Sequence, residues 1–408
     1  MQLLYVTTPR RHERPVLSAS GKANPFKTGI SFDLIVGGPP NKDTCKAHCE
    51  HCFFRIGANL PGAALDTGKN INERIAKEKE VISDLRAQGY SVTPYIADTF
   101  AWGGKYLESG MLQGNALYSA DELSTTGVAW TSGLTLLNNN KDRLLDLAWE
   151  NNLRLVGLSS YGIDDGEAPL KGVVKPSMVR KAVKNIQDYN CTHPEKKLDL
   201  SISFPIGAHN IHLIRDYIVY AALIGADYIR LNRLIDFSRD GRFRHLVLSS
   251  EQRRIFFMEM RKIEQERFDS IIKSVSMKKP YLDSAHEPNP NIKIMISTDF
   301  GFDGEEALER PEPINRCRGG ISLFAILSNS IYACLELAAT GLVIGKLVLE
   351  DRTKIEAEYE TTITSDKAKI HTPVFDVERV RLMHDLLDSS EYRGCFADFN
   401  VMSSDKMR

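Results

Sequence analysis

The chain has 408 residues, room for two or three domain-sized units or for one α/β barrel with an appendage. Hydrophobic residues at 42% and charged residues at 26% are globular values and exclude wholesale disorder. Lys and Arg total 52 against 53 Asp and Glu, so the basic excess of a protein that grips nucleic-acid phosphates is absent and no nucleic-acid partner is expected.

No apolar run reaches the length that spans a bilayer. The longest, residues 217–226 and 335–349, are short or broken by Glu336 and Lys346. The N-terminus, from Met1 to His12, lacks the apolar core and cleavage site of a signal peptide. A cytoplasmic protein without membrane contact is the expectation.

Residues 1–29 are basic and rich in Pro, Gly and Ser, and read as an N-terminal arm. Strand and helix then alternate. Residues 30–36 read as a strand ended by Gly37-Gly38-Pro39-Pro40, and 71–87 as a helix stopped near Gly89. Strands follow at 92–97 and 127–131, then a helix at 141–151. A strand at 153–158 leads to a helix at 176–188 with Pro176 in its first turn. Alternating apolar and polar residues mark a strand at 198–204. Residues 211–224 read as a helix ending at Gly225, 228–231 as a strand, 250–274 as one long helix and 292–297 as a last strand.

Repeated βα order implies parallel strands joined by helical crossovers. The fold class read here is α/β, a partial parallel (β/α) barrel over residues 30–299, with a doubly wound sheet as the competing arrangement. Functional residues belong at the carboxyl ends of the strands. Residues 301–313 read as a linker, and 300–408 as a smaller α+β domain.

Seven cysteines are odd in number and few for a disulfide scaffold. Cys45, Cys49 and Cys52 lie within eight residues, just after the first strand. Three thiolates on one loop can converge on one metal centre, and sulfur ligands select zinc or iron–sulfur. Three ligands leave one coordination position open, as catalytic centres do. A zinc site completed by His48, His51 or a distant cysteine is the bland alternative, and a non-catalytic iron–sulfur or zinc protein that binds a partner is the reading from another class.

The C-x3-C-x2-C spacing at the end of the first strand of a βα series resembles the radical S-adenosylmethionine superfamily. The resemblance implies a [4Fe–4S] cluster on Cys45, Cys49 and Cys52, whose open iron is chelated by S-adenosylmethionine. Reductive cleavage of that cofactor gives a 5′-deoxyadenosyl radical that takes a substrate hydrogen. His51 stands where many members have an aromatic residue. Gly103 and Gly104 are the nearest match to the family's Gly-Gly-Glu, with Lys105 in place of the acid. The same resemblance places Ser159 and Ser160 on the ribose, and Ser203, Asn232 and Arg233 near the adenine. It further implies an electron donor such as ferredoxin or flavodoxin.

Cys317 to Cys334 has hairpin character, with a turn at Ser328-Asn329-Ser330. It resembles a shortened SPASM or twitch extension, with Cys317, Cys334 and Cys395 as ligands of a second iron–sulfur cluster; buried thiols are the alternative. Such a tail implies modification of an unactivated carbon on a peptide or protein. Val36-Gly37-Gly38-Pro39 running into Cys45, with Cys52-Phe53-Phe54-Arg55, resembles the cobalamin-dependent radical C-methyltransferases that act on an arginine of methyl-coenzyme M reductase. That resemblance makes cobalamin a second possible cofactor. His209 and His212 read as cap or surface histidines, Asp164-Asp165-Gly166-Glu167 as a solvated turn, and the Asn190-Cys191-Thr192 sequon as without consequence in the cytosol.

Overall fold

The computed structural model describes residues 2–5, 17, 20–22, 30–37, 47, 49–50, 52, 70–113, 127–166, 174–236, 241–275, 289–297, 323–327, 329–334 and 343–388. In chain order the main elements are β1 (Gln2–Tyr5), β2 (Ser31–Val36), α1 (Ile71–Ala87), β3 (Ser91–Ile96), α2 (Lys105–Glu108), β4 (Gly127–Thr131), α3 (Lys141–Glu150), β5 (Leu153–Ser159) and α4 (Pro176–Thr192). They continue with β6 (Asp199–Ile206), α5 (Ile214–Leu223), β7 (Tyr228–Arg233), α6 (Ser250–Gln265), α7 (Phe268–Ser274) and β8 (Lys293–Ile296). The last are β9 (Leu323–Leu327), β10 (Ser330–Tyr332), β11 (Val343–Asp351), α8 (Arg352–Tyr359), β12 (Lys369–Phe375) and α9 (Val377–Asp388). The chain is α/β, and it divides into two compact units.

The first unit comprises residues 1–7, 41–51 and 98–314. Its six-stranded sheet has the order β1-β8-β7-β6-β5-β4, with every pair parallel. From β4 to β8 each strand lies beside its predecessor, so the order never reverses. A doubly wound sheet reverses at its switch point; this one is singly wound, as a barrel wall is. Right-handed crossovers that always step the same way put all their helices on one face. On that face Phe204 stacks on Tyr217 of α5, with ring centroids 4.3 Å apart. Ala129, Val156, Leu158, Ile202, Phe204, Ile229, Leu231 and Ile294 are all fully buried there. Burial of that size contributes about 1.5–3 kcal/mol per large side chain.

The second unit comprises residues 8–40, 52–97 and 315–408. Its sheet has the order β12-β11-β10-β9-β2-β3. Strand β2 pairs in parallel with both β3 and β9, while β9 to β12 form an antiparallel meander. The core is aromatic: Phe32 on β2 meets Tyr90, Phe324 and Phe375 with centroids 5.2, 6.0 and 6.4 Å away. The outer edge of β12 is closed to further pairing. His371 N–H donates to Asp84 Oδ2 (3.0 Å), its carbonyl accepts from Gln88 Nε2 (2.6 Å), Pro373 has no N–H, and Phe375 N–H donates to Gly21 O (2.8 Å).

Several sequence readings differ from the structure for identifiable reasons. Gln2–Tyr5, within the stretch read as an arm, is a strand beside β8. The long helix at 250–274 is two, because Glu266 and Arg267 adopt extended backbone. There Glu266 turns toward Arg215 of α5, whose guanidinium grips both of its oxygens (2.7 and 2.8 Å). The hairpin turn between β9 and β10 stands where expected. The linker at 301–313 lies outside the described residues.

Candidate functional site: the open face of the parallel sheet

Side chains alternate across a strand, so the register fixes which residues share the face opposite the helices. Ser159 of β5 pairs with Ser203 of β6, Ser203 with Arg230 of β7, and Arg230 with Met295 of β8. Two residues toward the amino ends, Trp130, Gly157, Ser201 and Tyr228 form the row beneath. The floor of this face is apolar: Val128, Leu155, Tyr228 and Met295 cluster, with Trp130 packed against them. Its carboxyl end is polar. Trp130 on the edge strand β4 and Ser159, Arg230 and Asn232 on the inner strands β5 and β7 remain partly exposed. A parallel sheet is normally covered on both faces by apolar packing; here one face keeps an open polar patch.

Local chemistry shapes the patch. Gly157 has no side chain because the Trp130 ring lies over it; a Cβ would overlap the indole. The Arg230 guanidinium carbon sits 5.0 Å from the Trp130 ring centroid, within cation–π range. Arg230 Nη2 also approaches Ser297 Oγ at 3.5 Å. Asn232 Nδ2 donates to Ser203 Oγ. Ser201 is fully buried, and its Oγ, like Asn232 Oδ1, is buried with no hydrogen-bond partner among the described residues. Leaving such atoms unmet costs about 1–3 kcal/mol each.

Loops at the carboxyl ends are held by buried polar groups. Asp98, just after β3, is 1% exposed. It accepts from Phe100 N–H (3.1 Å), Thr131 Oγ1 (3.0 Å), Ser132 N–H (3.2 Å) and Ser132 Oγ (3.0 Å). Burial raises its pKa above the ordinary Asp value, against the lowering effect of those bonds. The carboxyl thus fixes the turn after β4. Beyond β6, Asn210 closes its own turn by accepting from Gly207 N–H (2.7 Å) and donating to Pro205 O (2.9 Å).

Of the residues singled out in the sequence, Ser159, Ser203 and Asn232 are brought together on the open face. Ser160 and Arg233 fall on the other side of the alternation. Ser160 Oγ donates to Gly162 O (2.9 Å), and Arg233 is 4% exposed. Gly103 and Gly104 follow Trp102 in a run of three left-handed residues (φ 62, 84 and 54 respectively), and Gly104 packs against Leu144 and Leu147 of α3. His209 is partly buried, and burial first, then His212 and His245, lowers its pKa. Trp130, Ser201 and Arg230 share the open face of the sheet and were not singled out in the sequence. Their signal was the alternation itself, since Ser201-Ser203 and Arg230-Asn232 each put two polar groups on one face of a strand.

Cys49 and Cys52 are half-buried thiols, and Cys334 is buried at the end of β10. Cys45, Cys317 and Cys395 lie outside the described residues. Another cluster with ligand chemistry, Glu80, Asp84 and His371, has its ligand atoms within 4.8 Å of one another. Lys367 Nζ already lies 3.0 Å from Glu80 and 2.9 Å from Asp84, so an ammonium provides the positive charge there.

No protein-family model matches the chain, and no curated protein matches it. Solved structures similar to it include Streptococcus suis SuiB bound to precursor peptide SuiA, with a TM-score of 0.45 and 13% identity over 78% of this chain and 62% of that one. SuiB bound to S-adenosylmethionine matches at 0.45 and 13%, over 76% and 61%. Native anSMEcpe with bound AdoMet matches at 0.46 and 16%, over 74% of each chain. The chain thus spans less than two thirds of the SuiB chains it is similar to.

Proposed function

We propose that this chain is a radical S-adenosylmethionine enzyme that modifies an unactivated carbon of a peptide or protein residue. The observation that carries the reading is the Cys45, Cys49, Cys52 triplet directly after the first strand of a βα series. Its support is the open polar face with unmet hydrogen-bonding atoms at the carboxyl ends of the strands. The donor set fits the cluster: three thiols on a short loop, of which Cys49 and Cys52 are half-buried rather than sealed in a core.

Cys45, Cys49 and Cys52 would hold a [4Fe–4S] cluster, which would supply the electron for reductive cleavage of S-adenosylmethionine and so the means to break a C–H bond. The chain's own residues do the rest. Ser159, Ser203 and Asn232 offer hydroxyl and amide groups suited to a ribose and a base. The apolar floor of Val128, Leu155, Tyr228 and Met295 would exclude water from the base of this face. Asp98 holds the turn that borders the patch in one geometry.

The test is transfer of deuterium from peptides labelled at candidate carbons into 5′-deoxyadenosine. Label arriving from peptides supports the reading. Label arriving only from free amino acids or small metabolites contradicts the peptide assignment. S-adenosylhomocysteine as the main product would mark methyl transfer instead.

A further inference from the structure

Three histidines stand on two segments at the carboxyl end of the parallel sheet, and the reaction proposed above uses none of them. His209 and His212 belong to the loop between β6 and α5, and His245 to the segment between β7 and α6. The two segments are docked on each other. Ala208 N–H donates to Leu246 O (2.8 Å), and Gly207 approaches Leu246 O so closely that a Cβ there would overlap the carbonyl. Asn210, 3% exposed, ties the loop to β6 by accepting from Gly207 N–H (2.7 Å) and donating to Pro205 O (2.9 Å). The His209 ring borders the contact, packed against Gly207. Its Nδ1 is buried with no hydrogen-bond partner among the described residues.

That position suits a neutral imidazole and opposes an imidazolium. In the charged ring both nitrogens carry a hydrogen to donate, and a buried Nδ1–H facing no acceptor works against the charge. The titratable groups that act on His209 are His212 on its own loop and His245 on the segment packed against it. Both can only add positive charge, and the exposed Arg242 and Arg244 on that segment are cations too. Burial first, then the two histidines, hold the His209 pKa below the ordinary histidine value.

We infer that residues 207–213 form an acid-sensitive latch at the carboxyl end of the parallel sheet, docked on residues 243–247 while His209 is neutral and released when its ring takes a proton. The sign follows from the direction of the shift. A histidine lowered in the docked state favours docking fully above its ordinary value of about 6.5 and loses that contribution as pH falls through the lower docked value. The released loop binds one more proton than the docked loop, which limits the effect to about tenfold per pH unit.

The experiment is hydrogen exchange of the full chain from about pH 7.5 to about pH 5.5, each amide normalised to its intrinsic rate. Protection of the Ala208 amide should fall about three- to tenfold over that range, while amides within β6 hold theirs. H209Q keeps the loop neutral and should show no such fall. H212Q/H245Q alters only exposed positions, so the fold is kept while the neighbouring positive charge is removed. That double variant should make the fall shallower and raise the titration midpoint of the His209 ring, followed by nuclear magnetic resonance. In the native chain the midpoint should lie below about 6.5. Protection of Ala208 that is independent of pH, an equal fall in H209Q, or a native His209 midpoint at or above about 6.5 would overturn the inference.

Discussion

Lys22 offers the sharpest test of how the second unit is assembled. Its side chain is 8% exposed and lies between two carboxylates, Glu350 of β11 at 2.7 Å and Glu358 of α8 at 2.8 Å. Ser20 Oγ donates to the same Glu358, and the adjacent Gly21 carbonyl caps β12. Lys22→Met keeps the stem and deletes the charge, leaving two carboxylates facing each other. Breaking a buried pair costs about 3–5 kcal/mol; each carboxylate keeps over a quarter of its exposure, so roughly 2–4 kcal/mol is expected. For a unit of this size that lowers the melting temperature by roughly 5–15 °C. The three tryptophans, Trp102, Trp130 and Trp149, all belong to the first unit, so their fluorescence is the internal control. Hydrogen exchange at β11 and β12 should accelerate while the tryptophan transition holds. Burial lowers the Lys22 pKa, but the bonds and charges of Glu350 and Glu358 outweigh it and the net shift is upward. A lysine raised on folding stabilises fully below its unfolded value of about 10.4 and loses that contribution as pH rises through the folded value. The gap between native and variant should therefore narrow above about pH 10.4. A gap below about 1 kcal/mol at neutral pH, the level of an exposed ion pair, would refute the reasoning.

Asp84→Asn should loosen α1 from β12, because Asp84 joins Lys367, His371 N–H and His371 Nδ1 (2.9, 3.0 and 2.7 Å). Burial opposes ionisation of Asp84, but those bonds bring its pKa below the ordinary Asp value. Its stabilising contribution is present above about pH 3.9 and is lost as pH falls through the lower folded value; native protein and variant should converge there in acid unfolding. Gly157→Ala should push Trp130 off the sheet at a cost of about 1–3 kcal/mol and shift indole emission to the red; an unchanged spectrum would contradict the packing described. If Cys334 ligates a second cluster, Cys334→Ala should lower iron per chain from about eight toward four, and an unchanged count makes it a packing residue of β10.

Local patterns were legible and long-range pairing was not. Helix α1 and strand β4 begin and end where periodicity and the flanking glycines place them. The singly wound order of β4 to β8 follows from their sequence of strands and helices. Nothing in residues 30–36 announces that β2 pairs with β9 nearly three hundred residues later. Strand pairing is set by which apolar faces remain uncovered after folding. The same holds at the site. Ser159, Ser160, Ser203, Asn232 and Arg233 were named from a family resemblance; the register sets Ser159, Ser203 and Asn232 on one face of the sheet and Ser160 and Arg233 on the other side of the alternation. Arg230 was passed over because a mid-strand arginine reads as surface until the register shows which face it occupies. The break in the 250–274 helix follows from the Arg215 grip on Glu266, a contact between helices that no single-helix pattern contains.

The most direct test of the central claim is anaerobic reconstitution of the native chain with iron and sulfide, followed by S-adenosylmethionine and a strong reductant. The proposed function expects an iron–sulfur absorption band, an electron paramagnetic resonance signal altered by S-adenosylmethionine, and release of 5′-deoxyadenosine. The signal altered by S-adenosylmethionine and the release of 5′-deoxyadenosine should be lost in the Cys45→Ala, Cys49→Ala, Cys52→Ala variant, while absorption from any second cluster survives. If the native chain releases no 5′-deoxyadenosine, or if the triple variant releases it at the native rate, the claim is contradicted.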